Sequence, residues 1–517
     1  MRFDKRAAGC AAAAALAALV LIYWRTGYAG RNLVDLFLLM DRPYRVFMGQ
    51  IPYRDFDCVT TPLTYFIEAG LFRVFGIGFG VSRWYMALQG AFLSALTVLL
   101  LHRFMRLRMS FSAAGGIIAA AWSTQFISGY PWYGADAIAF ILTGLAAFMA
   151  AWESRSLAWT FLSGLFFSAA FWCKQDLGAA ALLFGAPAFG ILYQRRLRGP
   201  GAWRHIAAYG LGMALPFALF ILFYARHDGL LAMRYWIVER ALRFKIQHSG
   251  GGIGSNILRT FSSEISQFGK LLAFVYLMGV LIPLRMLRRT SSEREKDLLW
   301  RNLSVGGIFF GVYYTSFMSH YATLFEAIQA GLGLVIGGIF SSLGCGRADC
   351  EDRLPRLGKA ALLAATAAIS LRSLWYLRQE LVFPPTGAYF SPVLNARFGG
   401  ARIHKKEAET VNAILGFVGR EIRADESFFV LPIGNMPDVY FLTGRMPVHP
   451  VTSSIPTEWE PEDEKRLIES LRKSRVRWAF ILGGRAAQDM HEADRYLLEN
   501  YRPYQRLSPN VEVLLRK

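Results

Sequence analysis

Long apolar runs, most of them about as long as a bilayer is thick, alternate along this chain with short polar stretches. A helix needs roughly 17–25 predominantly apolar residues to cross a membrane. Runs of that kind lie near residues 7–24, 81–101, 111–129, 136–152, 157–173, 177–193, 205–225, 269–287, 303–319, 322–342 and 358–377. Each is predicted to be a spanning helix. The stretch 62–78 is apolar too, but Glu68 and Arg73 interrupt it, so it is predicted to lie in the interface as an amphipathic helix. Arg2, Lys5 and Arg6 precede the first run, Ala7 to Trp24. No small-residue cleavage site follows and more spans come after, so that run is read as an uncleaved first span.

The pattern changes after residue 378. From about residue 400 the apolar positions form short runs and helical faces. Helices are predicted over His404–Ile422, Pro461–Arg472 and about Arg485–Asn500, with strands over Ser427–Pro432, Val476–Leu482 and Val511–Leu515. That alternation predicts a small α/β domain with a largely parallel sheet. The expected fold is therefore a polytopic α-helical membrane part, residues 1–377 with about eleven spans, and an extracytoplasmic α/β domain, residues 378–517.

Charge orients the chain. It is 54% hydrophobic and only 18% charged, yet its net charge is +20, from 57 Lys and Arg against 37 Asp and Glu. The excess is not a nucleic-acid patch, because most of it sits in short clusters between spans. Arg103, Arg106 and Arg108; Arg195, Arg196, Arg198 and Arg204; Arg288, Arg289, Arg294 and Lys296; and Arg347, Arg353, Arg356 and Lys359 all fall on one face when the N-terminus is inside. This is the positive-inside pattern of a cytoplasmic membrane, and it puts the C-terminal domain outside. The first outer loop, 25–80, breaks the pattern with Arg25, Arg31, Arg42, Arg45 and Arg54, and so invites a functional explanation. Five scattered cysteines give no disulfide framework, and the Cys345 and Cys350 pair lacks the further ligands of structural zinc. The sequon Asn302-Leu303-Ser304 falls on the predicted inner face.

That first loop also holds the most specific motif. Asp35 stands fourteen residues before Gly49, which opens Gly-Gln-Ile-Pro-Tyr-Arg-Asp-Phe (49–56), and Pro62-Leu63 follows. This resembles the GT-C class of membrane glycosyltransferases that use polyprenyl-phosphate sugars, the aminoarabinose and protein O-mannosyl transferases among them. An acidic residue early in the first outer loop, a "G-x-x-P-Y-x-D-F" phrase and a later "P-L" mark many bacterial members. Leu36 stands where many members carry a second acid. Further likeness lies in Tyr133-Gly134-Ala135-Asp136, Lys174-Gln175, Ser319-His320-Tyr321 and Tyr440 to Arg445. Asp35, Tyr53, Arg54, Asp55, Asp136, Lys174 and His320 all fall at the outer ends of predicted spans or in outer loops, and the spans follow from hydropathy and the basic loops without reference to these motifs. Ionisable groups at membrane depth are costly and usually face a cavity or a partner.

The resemblance implies transfer of a sugar, hexose or pentose, from a polyprenyl phosphate to a lipid, glycan or protein at the outer face. Asp35 then takes the role of general base. Lys174 and Arg54 suit a departing phosphate, while Tyr53, Asp55, Asp136 and His320 are candidate substrate contacts. Each has a plainer reading beside it. Asp35 and Asp136 also suit helix caps, Tyr53-Arg54-Asp55 a local ion pair or turn after Pro52, Lys174 a snorkelling lysine, and His320 an interfacial histidine. Asp41, six residues beyond Asp35, serves as a comparison that neither motif nor chemistry singles out. Cofactor use, a divalent cation included, is left open by the sequence. The competing class is a multi-span lipid or glycan transporter, which calls for inverted repeats, broken helices at the midplane and charges within spans.

Overall fold

The computed structural model describes residues 5–28, 33–121, 129, 131–197, 200–243, 267–317, 324–344, 390–431, 439–451, 461–482 and 491–517. Its membrane part runs through helices α1 Lys5–Arg25, α2 Leu33–Phe47, α3 Leu63–Phe75, α4 Phe79–Leu99, α5 Met109–Ala121 and α6 Tyr133–Ser154. It continues through α7 Leu157–Cys173, α8 Gln175–Leu197, α9 Pro200–Arg226, α10 Gln267–Leu287, α11 Glu293–Phe317 and α12 Leu324–Ser342. Ten of the predicted apolar stretches fall, over their described residues, on or largely on helices in this series, and the eleventh, 358–377, lies outside the described residues. Four helices among the described residues are long and apolar enough to cross a membrane: α1, α4 with its extension to Phe104, α6 and α9. Shorter apolar helices cover Met109–Ala120, Leu157–Cys173, Leu272–Leu287 and Gly331–Ser342. A lipid environment favours this choice, since a helix satisfies its own backbone hydrogen bonds.

Residue size decides how closely the helices approach. Gly164 on α7 faces the Tyr209 carbonyl on α9, and Gly212 on α9 faces the Phe161 carbonyl on α7. A Cβ at either place would overlap backbone, so small residues set this interface. Polar bonds add to the packing. Thr160 of α7 meets His205 of α9 at 2.7 Å, and Ser163 of α7 donates to the Gly144 carbonyl of α6 at 2.8 Å. The outward faces keep large apolar side chains, such as Leu16, Val20, Leu88, Leu219 and Leu222. Asn302 of the sequon is buried in α11, where its amide donates to Ser341 and Ser342 of α12.

The C-terminal domain has two sheets. Strands β1 Phe390–Pro392 and β2 Arg402–His404 pair antiparallel. A second sheet takes the order β3-β4-β6-β5, from Phe428–Leu431, Trp478–Leu482, Val511–Arg516 and Tyr501–Ser508. Helices α13 Lys405–Glu421, α14 Pro461–Ser474 and α15 His491–Asn500 belong to the domain, as does a short helix Val439–Thr443. The expectation of a largely parallel sheet is corrected here. Only β3 and β4 run parallel; β6 is antiparallel to both β4 and β5. The cause is local: two residues, Pro509 and Asn510, separate β5 from β6, and so short a link permits only a hairpin. Strand β5 reads as polar because it is an edge strand whose residues 502–506 are exposed, Pro503 included.

The domain sits directly on the first loop. Phe441 packs edge-on against Tyr44 of α2, with ring centroids 5.8 Å apart, and near Phe72 of α3. The Asp57 N–H donates to the Pro450 carbonyl, and the Arg402 N–H to that of Gly27, each at 2.9 Å. Phe79 stacks on Phe398. The phrase Tyr440 to Arg445 is thus the foot by which the domain stands on α2 and α3. It is closed by Gly444 at φ 74° and an Arg445 N–H bond to the Tyr440 carbonyl.

Candidate functional site

After α2 the chain turns at Gly49, whose φ of 93° suits glycine. It turns again at Tyr53, whose φ of 69° is unusual for a side chain with a ring. Two bonds hold that conformation: the Tyr53 N–H donates to the Phe56 carbonyl at 2.9 Å, and the buried Tyr53 hydroxyl to that of Thr60 at 2.7 Å. Asp55 closes the turn from the other side. Its carboxylate accepts the Ile51 N–H at 2.7 Å and both Arg54 donors at 2.8 Å. Burial pulls the Asp55 carboxyl upward, but these bonds outweigh it and hold the group below its usual range. Arg54 and Asp55 therefore form a partly exposed pair on the rim, and Tyr53 points inward.

Lys174 is placed differently. It follows α7 in extended conformation, and the residue is only 5% exposed. Its ammonium lies 5.9 Å from the ring centre of Trp132 and 5.4 Å from that of Tyr133, two rings stacked on each other. Gln175 ties this corner to the first loop by donating to the Val59 carbonyl at 2.8 Å, while the Thr61 hydroxyl donates to that of Phe171 at 2.7 Å. The structure thus brings Lys174 and the 53–61 turn into one corner. Asp136 lies on α6, one turn beyond Tyr133, where it is buried and accepts from the Tyr85 hydroxyl and the Gln89 amide of α4. Asp136 joins three groups across two helices rather than capping one. Asp35 falls in the first turn of α2, but its side chain is outside the described residues, and so is His320 altogether.

Sequence reasoning missed the buried layer beneath the turn. Arg42 is 2% exposed and donates to the Tyr65 hydroxyl at 3.1 Å; that hydroxyl meets Thr60 Oγ1 at 2.7 Å, and the Cys58 thiol donates to the Thr60 carbonyl. Burial pushes the Tyr53 and Tyr65 phenols and the Cys58 thiol upward, so all three stay neutral donors. Arg45 is equally buried; it pairs with Asp41 at 2.7 Å and donates to the His449 carbonyl at 2.9 Å. Asp41 is therefore not a silent comparison for Asp35, because removing its charge strands a buried arginine. One signal had been visible: the excess of arginine in an outer loop is spent partly on these buried contacts.

A second charged group joins this loop to the domain. Asp57 receives two hydrogen bonds from Arg466, at 2.9 and 2.7 Å. Arg466 also bonds Asp463 at 2.6 Å, and Arg240 bonds Asp463 at 2.7 Å. Both arginines lie over the Trp236 ring. Burial pushes the Asp57 carboxyl up to about 6 in spite of Arg466. Among the described residues no group of three or more His, Cys, Asp or Glu side chains is placed to hold a metal ion.

The helical part, the loop helices α2 and α3 and the small domain standing on them together make the GT-C fold of membrane glycosyltransferases. The chain is similar to ArnT from Cupriavidus metallidurans bound to undecaprenyl phosphate, with a TM-score of 0.56, 13% identity and 96% of each chain covered. The apo form of the same protein gives 0.53 and 12%, again over 96% of each chain. At these identities the likeness is one of fold. No protein-family model matches the chain, and no curated protein matches its sequence.

Proposed function

We propose that the chain is a glycosyltransferase of the cytoplasmic membrane that moves a sugar from a polyprenyl phosphate to an acceptor at the outer face. The observation that carries this reading is the likeness of fold, over 96% of each chain, to a protein crystallised with undecaprenyl phosphate. The buried Lys174 beside the first-loop turn supports it, because a cation at that depth is costly to place and an ammonium suits an anionic lipid head.

In this scheme the acceptor hydroxyl attacks the anomeric carbon as Asp35 takes its proton. The bond from that carbon to the phosphate oxygen breaks, and polyprenyl phosphate leaves with the electron pair. Lys174 offsets the charge that grows on it. Arg54, paired with Asp55 on the rim, meets the phosphate as it enters or leaves. Tyr53, Asp136 and His320 contact sugar or acceptor. A single displacement inverts the anomeric centre.

Mass spectrometry of envelope lipids and glycans, with and without the gene, tests the reading. Loss of one glycan-bearing product, with build-up of a polyprenyl-phosphate sugar, is expected. An unchanged set of lipid-linked sugars, alongside a lipid or glycan redistributed between leaflets, would instead establish transport.

A further inference from the structure

A cavity of 440 Å³ opens at the outer end of α1, between α1, α4 and the turn Gly400–Arg402 of the C-terminal domain. It shares no lining residue with the first-loop corner. Among the described residues two guanidinium groups line it, those of Arg83 and Arg402, and no carboxylate does. Arg83 is pinned in place: its terminal nitrogens donate to the Gly399 and Tyr23 carbonyls at 3.2 and 3.1 Å, and its guanidinium lies 4.6 Å from the Tyr23 ring centre. Each of those nitrogens keeps a second hydrogen, and Nε is buried with no partner. Arg402 is held through its backbone to Gly27, while its side chain is exposed. One guanidinium held in place and a second on an exposed side chain beside it, with no carboxylate lining the cavity among the described residues, match a phosphate.

What lies beneath the cavity says where that phosphate comes from. On α1, Val20 and Leu16 are 58% and 61% exposed, one turn apart. On α4, Trp84, Leu88 and Phe92 are 49%, 58% and 47% exposed, again one turn apart. Both ridges run from the cavity toward the membrane interior. Tyr23, Trp24 and Trp84 around the mouth are the side chains that favour the headgroup level. A free phosphate has no use for two apolar ridges; a two-chain lipid does.

We propose that this cavity binds the phosphate headgroup of an anionic glycerophospholipid, whose chains lie along the α1 and α4 ridges, and that the headgroup ties the C-terminal domain to both helices. Basic recesses at a membrane surface recognise lipid heads in this way. The proposal does not depend on the transfer reaction.

Purified full-length protein, stripped of lipid in detergent, is titrated with phosphatidylglycerol, phosphatidylcholine and inorganic phosphate, and bound molecules are counted by native mass spectrometry. One phosphatidylglycerol molecule should be retained, about tenfold more tightly than phosphatidylcholine, and excess inorganic phosphate should not displace it. Arg402→Gln, on an exposed side chain, should weaken retention by roughly tenfold with the helical circular dichroism unchanged, and adding Arg83→Gln should weaken it further. Equal retention of the two lipids, or undiminished retention in Arg402→Gln, overturns the proposal. Displacement by inorganic phosphate identifies a free-anion site instead, and displacement by one equivalent of undecaprenyl phosphate makes the cavity part of the donor path.

Discussion

Lys174 shows how a side chain's surroundings carry chemical information. A lysine at a span end ordinarily runs its ammonium out to water, but this one is buried against two aromatic rings beside the first loop. In the proposed reaction its charge is needed most when phosphate departs. Lys174→Gln should lower kcat by about two orders of magnitude or more, and Lys174→Arg should restore little, since a planar guanidinium does not fit where a compact ammonium sat. Steady-state kinetics with a polyprenyl-phosphate sugar checks both; a change confined to KM would mean that Lys174 only binds. The first-loop phrase singles out Tyr53 in the sequence, and the phrases at predicted span ends single out Lys174 and Asp136, as candidates. Arg42, Arg45 and Arg466 were not legible there, because Tyr65, the His449 carbonyl and Asp57, which they also bind, stand 23, 404 and 409 residues away and a linear pattern does not record which groups meet.

At the scale of elements, the helices were legible and their company was not. Periodicity found α1 and α4 to α12, since each needs an apolar run of its own. It missed β5, whose exposed polar residues resemble a loop, and so it misjudged the sheet. Close approach of α7 and α9 depends on Gly164. Gly164→Val should force the pair apart and cost about 1–3 kcal/mol as overpacking does, seen as a lower Tm in detergent, whereas Gly210→Ala, where a Cβ meets nothing, should be neutral. Asp57 offers a test of sign. Its carboxyl is pushed up to about 6, above the roughly 3.9 of an unfolded chain. The contribution to stability is thus fully present below the lower value and is lost as pH rises through 6. Compared with Asp57→Asn, the native protein should lose thermal stability between pH 4 and 7. A gain over that range would show that the pairing with Arg466 outweighs burial.

At the scale of the molecule, the first loop and the C-terminal domain pack together, through Phe441, Pro450 and Arg402. They must lie on the same side of the membrane, so the chain crosses it an even number of times between them. Eleven spans satisfy that parity. A reporter fused after Arg445 should be active outside the cytoplasm and one fused near Arg198 inside; the same side for both would undo the orientation read from the basic loops.

Transfer from a lipid-linked donor is the claim on which the rest hangs. Its most direct test is release of polyprenyl phosphate from a polyprenyl-phosphate sugar by the purified protein, measured for the native chain, Asp35→Asn and Asp425→Asn at matched amounts. Asp425 is an exposed acid of the C-terminal domain, beside the exposed Arg423, and it makes a cleaner comparison than Asp41. Turnover is expected from the native chain and Asp425→Asn, with a fall of about two to four orders of magnitude in Asp35→Asn and none with a nucleotide sugar. Efficient transfer from a nucleotide sugar, or near-normal turnover in Asp35→Asn, would contradict it.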